Sequence, residues 1–215
     1  MLLGVHLKQL DFSDAEKLLH KYRIKTPDSG VAKKPAEAVK IAKKIGYPVV
    51  MKILSPDIIH KTERKGVMVG VCDDKAVERA FDEIRKHAGK AKFKGILVQR
   101  QADGREVIIG GKKDPQFGAV VLFGLGGIFV EIMKDVSLRI APIDQREAMA
   151  MIKEVKGYPI LAGARGQKPA NLEKLAEMIA SVSRMLSEND IQELDLNPVF
   201  VNEKGCLPVD VRMMK

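Results

Sequence analysis

The sequence predicts an α+β chain of two subdomains, and three observations predict it. Short apolar strands alternate with amphipathic helices through the first hundred residues. The pattern breaks at Gln101-Ala102-Asp103-Gly104 and resumes with a different rhythm. The last stretch then reads as a strand hairpin. The expected division is residues 1–100, with a leading helix, and residues 101–215. A length of 215 residues with 46% hydrophobic content is enough for real cores.

Taken in order, Ser13-Asp14-Ala15-Glu16 has the form of a capping box, and Ala15, Leu18, Leu19 and Tyr22 follow at helical spacing. Residues 26–30 carry turn chemistry. Pro35 suits the first turn of a second helix that Gly46 ends. A strand follows, then a loop, a strand over 66–72, and a helix from Asp73 or Asp74 to Gly89. Strands are expected over 96–99, 105–110, 117–123, 128–133 and 137–141. Asp144 and Asn171 suit the starts of two further helices.

The net charge of +9 raises nucleic acid, an acidic partner or a phosphate-rich ligand as possibilities. Lysines such as Lys33, Lys34, Lys40, Lys43 and Lys44 recur on helix faces without aromatic residues among them for stacking bases, so a solvated basic surface is expected and nucleic acid is not. Two distant cysteines, Cys72 and Cys206, suggest neither a disulfide framework nor a zinc site, which fits a reducing cytoplasm. Residues 1–10 carry His6 and Lys8 and no long apolar run, so no secretory signal is expected. The longest uncharged run, 117–130, is short and glycine-rich, so no membrane span is expected either.

The chemistry-bearing stretch begins Gly46-Tyr47-Pro48-Val49-Val50-Met51-Lys52. A lysine in an apolar strand needs an anionic or polar partner, because an isolated buried ammonium is costly. The loop after it, Ser55-Pro56-Asp57-Ile58-Ile59-His60-Lys61-Thr62, offers a hydroxyl, a carboxylate and an imidazole. His60 there fits a surface histidine or a phosphate-handling nucleophile. Near the C-terminus, strict alternation in Glu193-Leu194-Asp195-Leu196-Asn197 puts three oxygen-bearing side chains on one face. If the turn pairs Val201 with Cys206, Asn197 lies across from Asp210 and Asp195 across from Arg212. An amide and a carboxylate side by side suit Mg2+ shared with phosphates. They equally suit a solvated polar pair, and the hairpin alone leaves both open. Pro198 predicts an edge or a bulge there. Gly124-Leu125-Gly126-Gly127 lacks the full spacing of a dinucleotide fingerprint and reads as a tight turn as readily as a phosphate loop.

In order along the chain, these motifs resemble the ATP-grasp beta subunit of ADP-forming acetate-CoA ligases, relatives of succinyl-CoA synthetase. The resemblance rests on the two stretches around Lys52 and His60, on Gly104-Arg105-Glu106-Val107, Asp114-Pro115-Gln116-Phe117-Gly118, Phe123-Gly124-Leu125-Gly126-Gly127-Ile128-Phe129-Val130-Glu131, Asp135-Val136-Ser137-Leu138-Arg139 and Glu193-Leu194-Asp195-Leu196-Asn197-Pro198.

It implies an ATP-grasp fold, two α+β subdomains clamping ATP or ADP. Lys52 and Arg139 would meet phosphates, residues Gln99, Arg100 and Gln101 would face the adenine, and Glu106 would bind the ribose or phosphate side. Asn197 and Asp210 would be Mg2+ ligands. His60 would carry a phosphoryl group from a partner to ADP. The partner implied is a CoA-binding alpha subunit in an α2β2 heterotetramer. The alternative expectation is a nucleotide-sensing module that keeps the clamp without the chemistry. The chain departs from the family pattern at Thr62-Glu63-Arg64-Lys65-Gly66, where one of two glycines is missing and with it one position free to take positive φ.

Overall fold

The computed structural model describes residues 7–58, 64–127 and 135–215. They form two compact units, Pro27–Ala102 and the chain up to Thr26 together with Asp103–Lys215. The leading helix α1 (Phe12–Lys21) therefore belongs with the second unit, not with the first as the sequence reading placed it. The reason is in its apolar stripe. Leu19 and the following Tyr22 are buried in the second unit's core, and the Tyr22 hydroxyl donates to Glu188 Oε2 at 2.7 Å and accepts from Asn189 Nδ2 at 2.8 Å. Its cap is Asp11, whose carboxylate accepts from the Asp14 N–H at 3.0 Å. Ser13 lies inside the first turn, so the expected capping box is displaced by two residues.

In the unit Pro27–Ala102, four antiparallel strands are ordered β1-β4-β2-β3: β1 (Ser29–Ala32), β2 (Val49–Leu54), β3 (Val67–Val71) and β4 (Gly95–Arg100). Helices α2 (Pro35–Ile45) and α3 (Asp74–Ala88) supply Ala38, Ala42, Val77, Phe81 and Ile84 to a core shared with Val49, Met51, Ile53, Ile96 and Val98. These strand residues have one parity, so the helices cover one face of the sheet. The capping expectations hold at Gly46, Asp73 and Gly89. Strand β1 takes in Ser29 and Gly30, the end of the stretch 26–30 expected as a turn. Its four residues are too few to show a period, and they are held by pairing Ser29 with Gln99 through Ala32 with Ile96.

Among the described residues the second unit holds a six-stranded sheet ordered β10-β8-β5-β6-β7, with β9 also pairing β8. The strands are β5 (Arg105–Asp114), β6 (Gly118–Leu125), β7 (Val136–Ile140), β8 (Glu193–Asn202), β9 (Gly205–Pro208) and β10 (Val211–Met214). Val107, Ile109, Val121, Phe123, Leu194 and Leu196 pack with Leu175, Ile179 and Val182 of α6 (Leu172–Glu188), and α4 (Gln145–Glu154) adds Ala148, Met151 and Ile152. Asp144 and Asn171 cap those two helices as expected. A one-turn helix α5 (Tyr158–Leu161) went unforeseen, being too short for a periodic signal. The strand expected over 128–133 lies outside the described residues.

Pro198 sits between β5 and the strands β9 and β10, not at an edge. The bulge expected there is present, since Val107 pairs with Val199 whereas Ile109 pairs with Leu196. One extra residue reverses the parity of β8, so Leu194 and Leu196 before it and Val199 and Val201 after it all reach the core.

Candidate functional site

The strand pattern explains how Lys52 comes to be buried. Its parity is opposite to that of Met51 and Ile53, which places it on the sheet face away from α2 and α3, with Val50, Leu97 and Gln99. Lys52 is 6% exposed, and its ammonium donates to Gln99 Oε1 at 3.0 Å. An amide oxygen is thus one partner for the charge that the sequence left unexplained.

The other two residues at the end of β4 also have side-chain partners within the unit. Arg100 Nε donates to Asp28 Oδ2 at 3.2 Å, and Gln101 Oε1 accepts from the Gly70 N–H at 2.8 Å. Gly70 stands at a positive φ of 67° where the β2–β3 register shifts, so the glutamine serves a donor that this irregularity exposes. His60 lies outside the described residues. Beyond it, Lys65 has a φ of 51°, so the backbone takes the left-handed turn here with a lysine in place of the missing glycine.

In the second unit the hairpin register is the one the sequence implied. Val201 pairs with Cys206 and Arg212 with Asp195. The Asn197 N–H donates to the Asp210 carbonyl at 3.3 Å, and the Val209 N–H to the Pro198 carbonyl at 3.1 Å, so Asn197 and Asp210 face each other. Asp210 Oδ1 accepts from the Val211 N–H at 3.1 Å.

The Asp195 carboxyl is held above its ordinary range, first by loss of hydration among its strand neighbours and then by the nearby Asp210 carboxylate, with Arg212 opposing. The negative charge of Asp210 beside Asp195 is one that a cation would offset. Among the described residues no group of three or more His, Cys, Asp or Glu could hold a metal by itself. Asn197 and Asp210 fit Mg2+, which needs only one or two protein oxygens beside phosphate and water.

Glu106 is the second residue of β5, pairs with Phe200 and is exposed. Its carbonyl accepts from the Gly126 N–H at 2.8 Å, and a Cβ on Gly126 would stand 2.9 Å from the Glu106 Cβ. The glycine after Leu125 is therefore required by close backbone approach to Glu106. Arg139 on β7 is bound to carboxylates, with Nε to Glu147 Oε1 at 2.6 Å and Nη2 to Glu154 Oε2 at 2.8 Å. These bonds, Glu147 first, strengthen its hold on its proton, and Arg139 with Ser137 keeps the Glu154 carboxyl below its ordinary range. The resemblance implies a phosphate contact for Arg139 and says nothing of this network, which pairs residues 8 and 15 positions apart. Asp135, also unassigned by the sequence, is buried and accepts from the Lys156 and Gly157 N–H groups at 2.9 and 2.8 Å, fixing the turn between α4 and α5.

A model of the ATP-grasp domain matches residues 3–214. The acetate–CoA ligase [ADP-forming] I subunit beta of Pyrococcus furiosus is 48% identical over 207 residues, 94% of this chain and 89% of the relative. Among solved structures, the dinucleotide forming acetyl-coenzyme A synthetase 1 of Ca. Korarchaeum cryptofilum, in complex with coenzyme A, Ca-AMPCP and HgCl+, superimposes with a TM-score of 0.93. Identity is 41%, with 96% of this chain and 93% of that one covered. The same enzyme with coenzyme A and Mg-AMPPCP, its phosphohistidine segment pointing towards the nucleotide binding site, gives a TM-score of 0.84 at 38% identity, covering 95% and 91%. The chain belongs to the ATP-grasp domain family, among the relatives of the beta subunits of ADP-forming acetate–CoA ligases.

Proposed function

We propose that this chain is the nucleotide-binding subunit of an ADP-forming acyl-CoA ligase, catalysing acyl-CoA + ADP + phosphate to carboxylic acid + CoA + ATP through a phosphohistidine relay. The observation that carries the reading is the hairpin register that sets Asn197 across from Asp210 beside the raised Asp195 carboxyl. That is an oxygen donor pair on rigid strands, suited to the metal that accompanies a nucleotide polyphosphate.

In this reading Lys52 neutralises phosphate charge, and Glu106 binds the ribose or phosphate side. Arg100 and Gln101 border the adenine through groups their protein partners leave available, and Gln99 stands beside them with its side-chain oxygen engaged by Lys52. Asn197 and Asp210 hold Mg2+, which when bound offsets the charge spread over the transferring phosphoryl group. Arg139 reaches phosphate only by giving up Glu147 or Glu154, so it acts as a switched contact. The neutral imidazole of His60 is a competent phosphoryl acceptor near pH 7.

The P. furiosus relative is named a beta subunit, which supports a CoA-binding alpha subunit as partner, in an α2β2 heterotetramer. Both cysteines are free, and among the described residues no helix is long and apolar enough to cross a membrane, in keeping with a cytoplasmic enzyme.

The test is to incubate the chain and its partner subunit with labelled ATP and Mg2+. The natural chain should gain an acid-labile, base-stable label that His60→Ala abolishes. A label that survives His60→Ala excludes His60 as the carrier. Failure of the natural complex to make ATP from any tested acyl-CoA, ADP and phosphate would end the ligase reading.

A further inference from the structure

Lys52 and Gln99 are diagonal neighbours on one sheet face. In the β2–β4 register Lys52 stands opposite Leu97 and Val50 opposite Gln99, two residues along. Both side chains are buried, at 6% and 2% exposure, and the ammonium-to-amide bond of 3.0 Å joins them. Removing one partner of such a buried bond is costly to the other. The chemistry of the acceptor matters as much as its presence. An amide oxygen fixes an ammonium without a formal charge, whereas a carboxylate at the same place would make a buried ion pair and compete with any incoming anion.

We propose that Gln99 is a positioning residue for Lys52, holding its ammonium in place for a nucleotide polyphosphate without adding negative charge beside it. Its side-chain oxygen serves the lysine and does not read the adenine. The proposal deepens the assignment of Lys52 to phosphate and rests on it.

Four variants of the full chain, Gln99→Leu, Gln99→Glu, Lys52→Met and the double Lys52→Met/Gln99→Leu, are titrated with Mg-ADP and with adenosine, which has the base but no phosphate. Gln99→Leu and Gln99→Glu should each weaken Mg-ADP by about tenfold or more, the scale of a lost hydrogen bond to a charged group. Adenosine affinity should stay within about twofold, and the double variant should bind Mg-ADP no worse than Lys52→Met alone. Gln99→Glu keeps an acceptor oxygen and the double variant replaces both partners by apolar groups, so thermal melts of these two control for folding.

Equal losses for adenosine and Mg-ADP in Gln99→Leu would show that Gln99 reads the base and overturn the proposal. Additive losses in the double variant, or undiminished Mg-ADP affinity in Gln99→Glu, would overturn it too. Unchanged Mg-ADP affinity in Lys52→Met would instead remove the phosphate assignment of Lys52, and the positioning role with it.

Discussion

Asp210→Asn separates the metal reading of the hairpin from a merely structural one, because the two predict opposite pairs of effects. The substitution keeps the shape and an Oδ1 for the Val211 N–H, now 3.1 Å away, and removes one negative charge. If Asp210 is a Mg2+ ligand, Mg-ADP affinity should fall at least about a hundredfold, since loss of a group that only supports a ligand already costs 10–100-fold.

Stability should move the other way. Diagonal cross-strand neighbours stand about 7 Å apart, and two unit charges at that distance in water-like surroundings repel by about 0.6 kcal/mol. Asp195 loses some hydration among its strand neighbours but keeps an exposed surface, and that open surface sets the screening, so the low figure applies. Its folded carboxyl is raised above the ordinary range, so the folded state holds the proton more tightly. The stability it contributes is present at acid pH and is lost as pH rises through the window between the ordinary and the raised value. Removing Asp210 narrows that window.

The variant should therefore melt about 2 °C higher at neutral pH, with the gain disappearing below the carboxylate range. The assay is calorimetric titration with Mg-ADP beside melts across pH at fixed salt. Unchanged Mg-ADP affinity would refute the metal assignment, and a lower melting temperature at neutral pH would refute the electrostatic argument.

Two further perturbations test other parts of the molecule. The Glu154 carboxyl is lowered by Arg139 and then by Ser137, so its contribution is present above the ordinary carboxylate range and lost as pH falls through the lowered value; Glu154→Gln should flatten the acid limb of the melting profile, and an unaltered limb would show that the Arg139 pairing carries no stability. Lys65→Gly should raise stability by about 1 kcal/mol, because a non-glycine residue at a φ of 51° bears roughly that cost, and a destabilised variant by chemical denaturation would count against the left-handed turn.

Much of the fold was legible because its helices carry strong local signals. Asp73, Asp144 and Asn171 each begin a helix with a side chain that accepts from a backbone N–H three residues on, a contact within reach of sequence inspection. The hairpin was legible for a similar reason, as a two-residue periodicity and a short turn fix which residues oppose each other.

What escaped was long-range. Nothing in residues 12–21 says which core the leading helix joins, since an apolar stripe states that a face will be covered but not by what. The ion pairs of Arg139 were hidden because Glu147 and Glu154 reach it only once α4 folds over β7. The resemblance set Gln99 at the adenine, and its bond to Lys52, which spans 47 residues, is beyond the reach of local spacing. The missing glycine was visible, and its physical meaning emerged from the dihedral of Lys65.

The turn that joins β8 to β9 acts as a ruler for the candidate metal pair. Asn202 pairs with Gly205 across Glu203 and Lys204, and every later pairing is counted from there. Lengthening or shortening that turn by one residue would leave both strands able to form, yet would slide Val209 or Val211 into the place opposite Asn197 and send Asp210 to the other face. The exposed tip of the hairpin is thus the place where the identity of the candidate donor set is decided. Insertions there should be far less tolerated than its solvent exposure would suggest.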